Sequence, residues 1–230
     1  IEDELGLCVE VLSGDDEATW SFAAACAPFD DLSGDVLVVD VGGGSTELVV
    51  GHNPSGHGSD IAAAITARVS LDVGCVRLTE RCFDTHPPSD AGIRKAEAAI
   101  EDALAAAEVT VGRDAVLVGT AGTATALALV HAGPDSGETD LRRRVEQEGT
   151  PLALSAADIR TWRERLLART VEEIHALHPQ AMNGRADVFP VGVMLLDHIV
   201  RRTGLEPCRV SPYELRHGIA LRVLQARRAP

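Results

Sequence analysis

The fifteen residues from Val36 to Val50 (VLVVDVGGGSTELVV) restrict the fold more than any other stretch of the chain. Val36 to Val41 is β-branched and almost wholly apolar, the pattern of a buried strand. Gly42-Gly43-Gly44-Ser45 then makes a tight turn, and Thr46 to Val50 a second strand. Consecutive glycines lose more backbone entropy on folding than residues with side chains, so a structure that keeps three has a use for them. The use available is steric: without Cβ atoms, backbone N–H groups can close around an anion, and Ser45 and Thr46 add hydroxyls. Asp40 ends a buried strand, where a carboxylate costs several kcal/mol unless it is paired or bound to a metal. Glu47 follows seven residues later but across the turn, so both carboxylates can face one space. The competing reading is a plain glycine hairpin with solvated acids.

The rest of the chain alternates strands with helices. Cys8 to Leu12 reads as a short strand, and Ser13 as the N-cap of a helix that carries Asp15, Asp16 and Glu17 in its first turn and runs to Ala27 before Pro28. His52 to Asp60 is a hairpin loop and Ile61 to Leu71 a third strand; three strands meandering from one buried run open a ribonuclease H-like domain. Helices are expected over Val76 to Phe83 and Ala91 to Ala107, then a strand over Ala115 to Val118 and a helix over Ala124 to His131. Gly133 to Gly149 is polar and charged, the pattern of a mobile loop. Ser155 caps a helix over Ala156 to Ala168, and Val171 to Leu177 adds a further turn or two. An apolar helix over Asp187 to Arg202, a strand over Cys208 to Val210 and a helix over Tyr213 to Gln225 complete the chain.

Between strand and helix, Gly119-Thr120-Ala121-Gly122-Thr123 repeats the logic of the first turn: Gly119 and Gly122 allow close approach, Thr120 and Thr123 offer hydroxyls, and a helix N-terminus points in. Against an anionic ligand stands a net charge of −14, so any such ligand needs a local positive site of arginines, backbone N–H groups and a divalent cation. The same charge argues against non-specific nucleic-acid binding. No stretch is apolar for long enough to span a bilayer. The five cysteines are odd in number and scattered, which suits buried packing in a reducing, cytoplasmic compartment. His175 and His178 read as a surface pair rather than a metal site, and Arg142-Arg143-Arg144 as a solvated charge run, with steering of a polyanion the alternative.

Taken in order, Ser13-Gly14-Asp15-Asp16-Glu17-Ala18 and Val38 to Leu48 resemble the SGxEEA…DIGGGSTEL pattern of the Ppx/GppA phosphatases, from the actin-like ATPase superfamily. Gly74 to Glu80 is similar to that family's GxVRLTE, Gly119 to Thr123 to its GTxGT, Arg185 to Val188 to its RADV, and Ser211 to Gly218 to its SxxGLREG. The resemblance implies an α/β, ribonuclease H-like (actin-like ATPase) domain, with a mixed five-stranded sheet flanked by helices. It divides the chain into 1–34, the end of a first domain with its crossover helix, and 35–230, a second domain with a helical insertion around 150–185. It implies release of the terminal phosphate from inorganic polyphosphate, or of the 5′-phosphate from pppGpp, by metal-assisted attack of water. Glu17 would orient or deprotonate that water, with Glu47 a second candidate base. Asp40 and Glu47 would hold Mg²⁺ or Mn²⁺; Gly42, Gly43, Gly44 and Ser45, with Gly119, Thr120, Gly122 and Thr123, would bind phosphate. A carboxylate serving only the helix dipole is the alternative for Glu17.

Two departures stand out at the end of the chain. Glu214 occupies the glycine position of SxxGLREG, and His217 its glutamate position. The family's first domain, with its own phosphate loop, is missing from the sequence, so a fragment without turnover of its own is expected; a homodimer is left open. Two other functions remain: a regulator that binds (p)ppGpp or ATP without cleaving it, and an actin-like sugar or acetate kinase.

Overall fold

The computed structural model describes residues 5–6, 11–52, 64–149 and 152–226. Helix α1 (Gly14–Cys26) is capped by Ser13, whose hydroxyl accepts the Asp16 N–H at 3.1 Å. Strands β1 (Asp35–Val41) and β2 (Thr46–His52) form the central hairpin, and β3 (Ile65–Leu71) pairs with the outer edge of β2. Next come α2 (Cys75–Cys82), α3 (Asp90–Ala106), β4 (Val116–Thr120) and α4 (Ala121–Ala132). They are followed by α5 (Glu138–Glu146), β5 (Ala153–Leu154), α6 (Ala156–Leu167), α7 (Val171–Leu177) and α8 (Pro179–Met182). The last elements are α9 (Phe189–Thr203), β6 (Cys208–Val210) and α10 (Leu215–Ala226).

Among the described residues the strands make one mixed sheet in the order β3-β2-β1-β4-β6-β5. β1, β4 and β6 run parallel; the other neighbours are antiparallel. The sheet therefore has six strands rather than five, because Ala153–Leu154 adds a two-residue edge beside β6. So short a pairing leaves no periodicity to read.

Side-chain alternation along β1 sets the two faces. Val36 and Val38 join Phe22, Cys26 and Phe29 of the α1 side in one apolar cluster. Leu37, Val39 and Val41 join the larger core under α3, α4, α6 and α9. Helix α9 is buried from Phe189 to Val200 and ends at Gly204 in the left-handed conformation (φ 68°). Its one buried acid, Asp197, is matched by Arg163 at 2.7 Å and Arg201 at 3.4 Å, as burial of a charge requires.

Several expectations change. The polar stretch 133–149 is not simply a loop, because α5 forms within it and packs through Leu141 and Val145. Arg142 to Arg144 lie on that helix. His178 is buried rather than at the surface: its Nε2 lies 2.7 Å from the Ser136 carbonyl and its Nδ1 accepts the Ala181 N–H. Burial pushes the thiols of Cys26 and Cys208 up to about 12, so both act as packing groups. Most of the strand expected over 8–12 and of the hairpin loop at 52–60 lies outside the described residues.

Candidate active site

Register and parity bring the two acids of the hairpin together. Asp40 pairs directly with Glu47 across β1 and β2. Both share strand parity with Val38 and Val49, so both project to the face that α1 covers. There they line a cavity of about 340 Å³ with Glu17, Ala18, Ser21, Arg68 and Ser70. Glu17 reaches it because the Ser13 cap starts α1 one turn earlier, and because Arg68 of β3 pairs with Asp15. Burial above all, then the carboxylates of Glu47, Glu214 and Glu17, push the Asp40 carboxyl up to about 7. Glu47 is held by hydroxyls: Ser45 donates to its Oε1 at 2.5 Å and Ser70 at 3.1 Å.

The glycine turn has its carbonyls turned inward. The Cys75 N–H donates to Gly42 O at 2.9 Å, while Val76 and Arg77 donate to Gly43 O at 3.0 and 3.2 Å. Gly42 N–H closes the turn on Ser45 O at 3.0 Å. The N–H groups of Gly43 and Gly44 donate to no protein acceptor among the described residues. The loop is thus anchored through its acceptors and keeps two donors without a protein partner among the described residues. This anchoring depends on Gly74, where an added Cβ would lie 2.4 Å from Gly43 O and 2.6 Å from Gly44 C. Arg77 stands over the loop, its Nε 3.7 Å from where a Gly44 Cβ would be.

The second small-residue turn differs from the expectation. Strand β4 runs through Thr120 and α4 begins at Ala121, so Gly122 and Thr123 are the second and third helical residues. The change of direction is taken by Ala121, in the left-handed region at φ 57°. The Thr120 hydroxyl donates to Tyr213 O at 2.5 Å and that of Thr123 to Val41 O at 3.1 Å. Both protons therefore tie backbone segments together rather than facing a ligand. Buried Gly119 packs against Ala124 and Cys208. Gly122 remains at the surface: it lines a cavity of about 330 Å³ with Asp40, Gly42, Gly43, Ala121 and Arg185, where the first turn of α4 faces the glycine loop. Thr46, read as a hydroxyl donor, is fully buried and donates to Val73 O at 2.7 Å.

The motif from Gly74 to Glu80 marked Gly74 and Arg77 without giving them a role as loop supports, since a packing glycine is defined by its neighbour and not by its own sequence context. Glu214 was visible only as a departure at one motif position.

The sequence profile of the Ppx/GppA phosphatase family matches residues 1–227. The chain belongs to that family. Among curated relatives, exopolyphosphatase 2 of Mycobacterium tuberculosis is 32% identical over 225 residues, covering 94% of this chain and 64% of that protein. The guanosine-5′-triphosphate,3′-diphosphate pyrophosphatase of Vibrio vulnificus is 31% identical over 226 residues, 96% of this chain and 40% of that protein. The chain thus spans less than two thirds of these relatives. A crystal structure of the Aquifex aeolicus Ppx/GppA family member superposes with a TM-score of 0.81 at 25% identity, over 100% of this chain and 68% of that one. An exopolyphosphatase from Cytophaga hutchinsonii gives 0.74 at 25% identity, over 98% and 68%. The α/β fold is accordingly the ribonuclease H-like, actin-like ATPase fold of this family.

Proposed function

We propose that this chain is the phosphate-gripping part of an exopolyphosphatase-type phosphoanhydride hydrolase, acting on inorganic polyphosphate or on pppGpp. The observation that carries the reading is the Asp40–Glu47 pair beside a glycine loop whose Gly43 and Gly44 N–H groups have no protein acceptor among the described residues. Those N–H groups would hold the terminal phosphoryl group, with the first turn of α4 on the other side of the same cavity. Glu17, across the adjoining cavity from Asp40, would position the attacking water and take its proton. The water oxygen then bonds to phosphorus, the bridging P–O bond breaks, and the shortened chain leaves as a phosphate anion.

A divalent cation fits the residues present. Asp40 and Glu47 are hard oxygen donors, and the burial and neighbouring carboxylates that raise Asp40 are a penalty a cation would offset. Among the described residues no group of three or more His, Cys, Asp or Glu side chains is arranged to hold a metal, so phosphate oxygens or a further domain would complete its shell. Such an ion, Mg²⁺ or Mn²⁺, supplies neutralisation of charge on the transferred phosphoryl group. We assign the remaining part of the site to an N-terminal domain, matching the extra length of the relatives.

The test is phosphate release from polyphosphate and from pppGpp by a longer protein containing this chain, with and without Glu17→Gln. A loss of about 100-fold or more in kcat, with an unchanged circular dichroism spectrum, is expected. Undiminished turnover in the variant would remove Glu17 from the role. Binding of pppGpp without release of phosphate from either substrate would replace the hydrolase reading by a sensor.

A further inference from the structure

Three cavities line up along the ends of β1, β4 and β6. The first, with Glu17 and Glu47, and the second, with Gly42 and Gly43, share Asp40. The second and a third of about 140 Å³ share Ala121, Gly122 and Arg185. The third is completed by Thr125, Leu141, Pro212, Glu214 and Arg216. A groove that begins at the proposed point of cleavage therefore ends in a chamber holding two guanidinium groups and the first turn of the twelve-residue helix α4.

That chamber already contains one anion, the protein's own. Glu214 Oε1 lies 2.7 Å from Arg216 Nη2, with the Glu214 side chain 29% exposed and that of Arg216 65%. The Glu214 carboxylate is also within electrostatic reach of Asp40. Arg185 has no carboxylate partner among the described residues; it donates to Gly122 O at 2.9 Å. Behind Glu214 the donors are in excess as well. His217 lies between two donors, its Nδ1 3.1 Å from the Glu214 N–H and its Nε2 3.2 Å from Arg142 Nη2, and a neutral ring accepts only one of them. Arg142 Nε is buried without a hydrogen-bond partner among the described residues. More donors than acceptors thus surround one displaceable carboxylate.

We propose that the third cavity is a second anion seat, for a phosphate farther along the substrate chain, and that Glu214 is its resident anion and sets its affinity. This rests on the hydrolase reading above. An exposed ion pair is weak, so a phosphate can take Arg216 from Glu214, but the displaced carboxylate then repels the newcomer. The consequence is a site that engages a polyanion and releases it readily, a specificity-determining role for a residue that departs from the family pattern.

Calorimetric titration of this chain with tripolyphosphate in Mg²⁺ tests the seat without any turnover. Glu214→Gln is expected to tighten binding about tenfold, and Glu214→Gly to do the same if the first variant folds poorly. In an Arg216→Gln background the same change is expected to gain less than about twofold, because the cation that should be freed is missing. Glu17→Gln removes an equal charge and is expected to gain the same amount with or without Arg216. An equal gain from Glu214→Gln in both backgrounds would reduce Glu214 to bulk repulsion and overturn the proposal. So would unchanged affinity in both Glu214 variants, or no measurable binding by any of them. Phosphate release by the longer protein is a separate measurement, so failure of the seat and failure of the hydrolase reading are distinguishable.

Discussion

Asp40 carries the tension between folding and chemistry at the scale of one side chain. Burial and the neighbouring carboxylates raise it to about 7, above its unfolded value near 4. Between those two pH values the folded chain holds a proton that the unfolded chain has released. Stability is therefore lost progressively as pH rises from about 4 to about 7 and then levels off. Asp40→Asn removes the penalty and should raise Tm at pH 8 by about 5 °C, with little change at pH 4. The same variant should abolish hydrolysis in the longer protein. Thermal melts at the two pH values check the first part, and a lower Tm at pH 8 would contradict it. Addition of Mg²⁺ should narrow the difference at pH 8, since a cation at the carboxylates stabilises only the wild type.

Among the elements, the loop between β1 and β2 owes its shape to its neighbour α2. The N-terminal N–H groups of that helix take the loop's carbonyls, and only a glycine at position 74 lets the two backbones meet so closely. Gly74→Ala should cost about 1–3 kcal/mol, the usual penalty of overpacking, and weaken tripolyphosphate binding by about tenfold or more. A melt together with a titration measures both; a destabilised variant with wild-type affinity would show that the loop holds its shape without α2.

The same elements show what could be read in advance. The hairpin was legible because alternation is local: Asp40 and Glu47 share a face through strand parity and register alone. The caps at Ser13 and Ser155 were legible for a similar reason, each hydroxyl accepting an N–H three residues on. Helix α5 was not, since its buried positions among the described side chains, Leu141 and Val145, stand within nine largely charged residues. Nor was the early start of α4. The GTAGT stretch carries two glycines, yet the left-handed residue is Ala121, which the surrounding tertiary structure holds there. Of the candidate site, the shared face of Asp40 and Glu47 followed from the sequence; the partners of the Thr120 and Thr123 hydroxyls did not, because the acceptors, Tyr213 O and Val41 O, are 93 and 82 residues away.

Across the whole molecule the candidate site lies on one edge, at the carboxyl ends of the parallel strands, where an open α/β sheet forms its natural crevice. Helix α1 brings Glu17 to that edge, and α1 is braced by the last helix of the chain. At their crossing an added Cβ on Gly218 would lie 2.1 Å from Trp20 O and 2.9 Å from Trp20 Cβ, three residues from Glu17. The crossing therefore connects the C-terminal segment to the proposed base without touching the glycine loop. Gly218→Ala must part the helices, and it should lower Tm by about 3–10 °C. Because Glu17 moves with α1 while Gly43 and Gly44 stay anchored on α2, kcat in the longer protein should fall at least tenfold. In an Arg216→Gln background, which leaves the glycine loop to hold the ligand, Gly218→Ala should change tripolyphosphate affinity by less than about threefold. Steady-state kinetics set beside a binding titration separates the two effects. A parallel loss of affinity in that background would mean that α10 shapes the glycine-loop grip as well, and that the base and this grip are one mechanical unit.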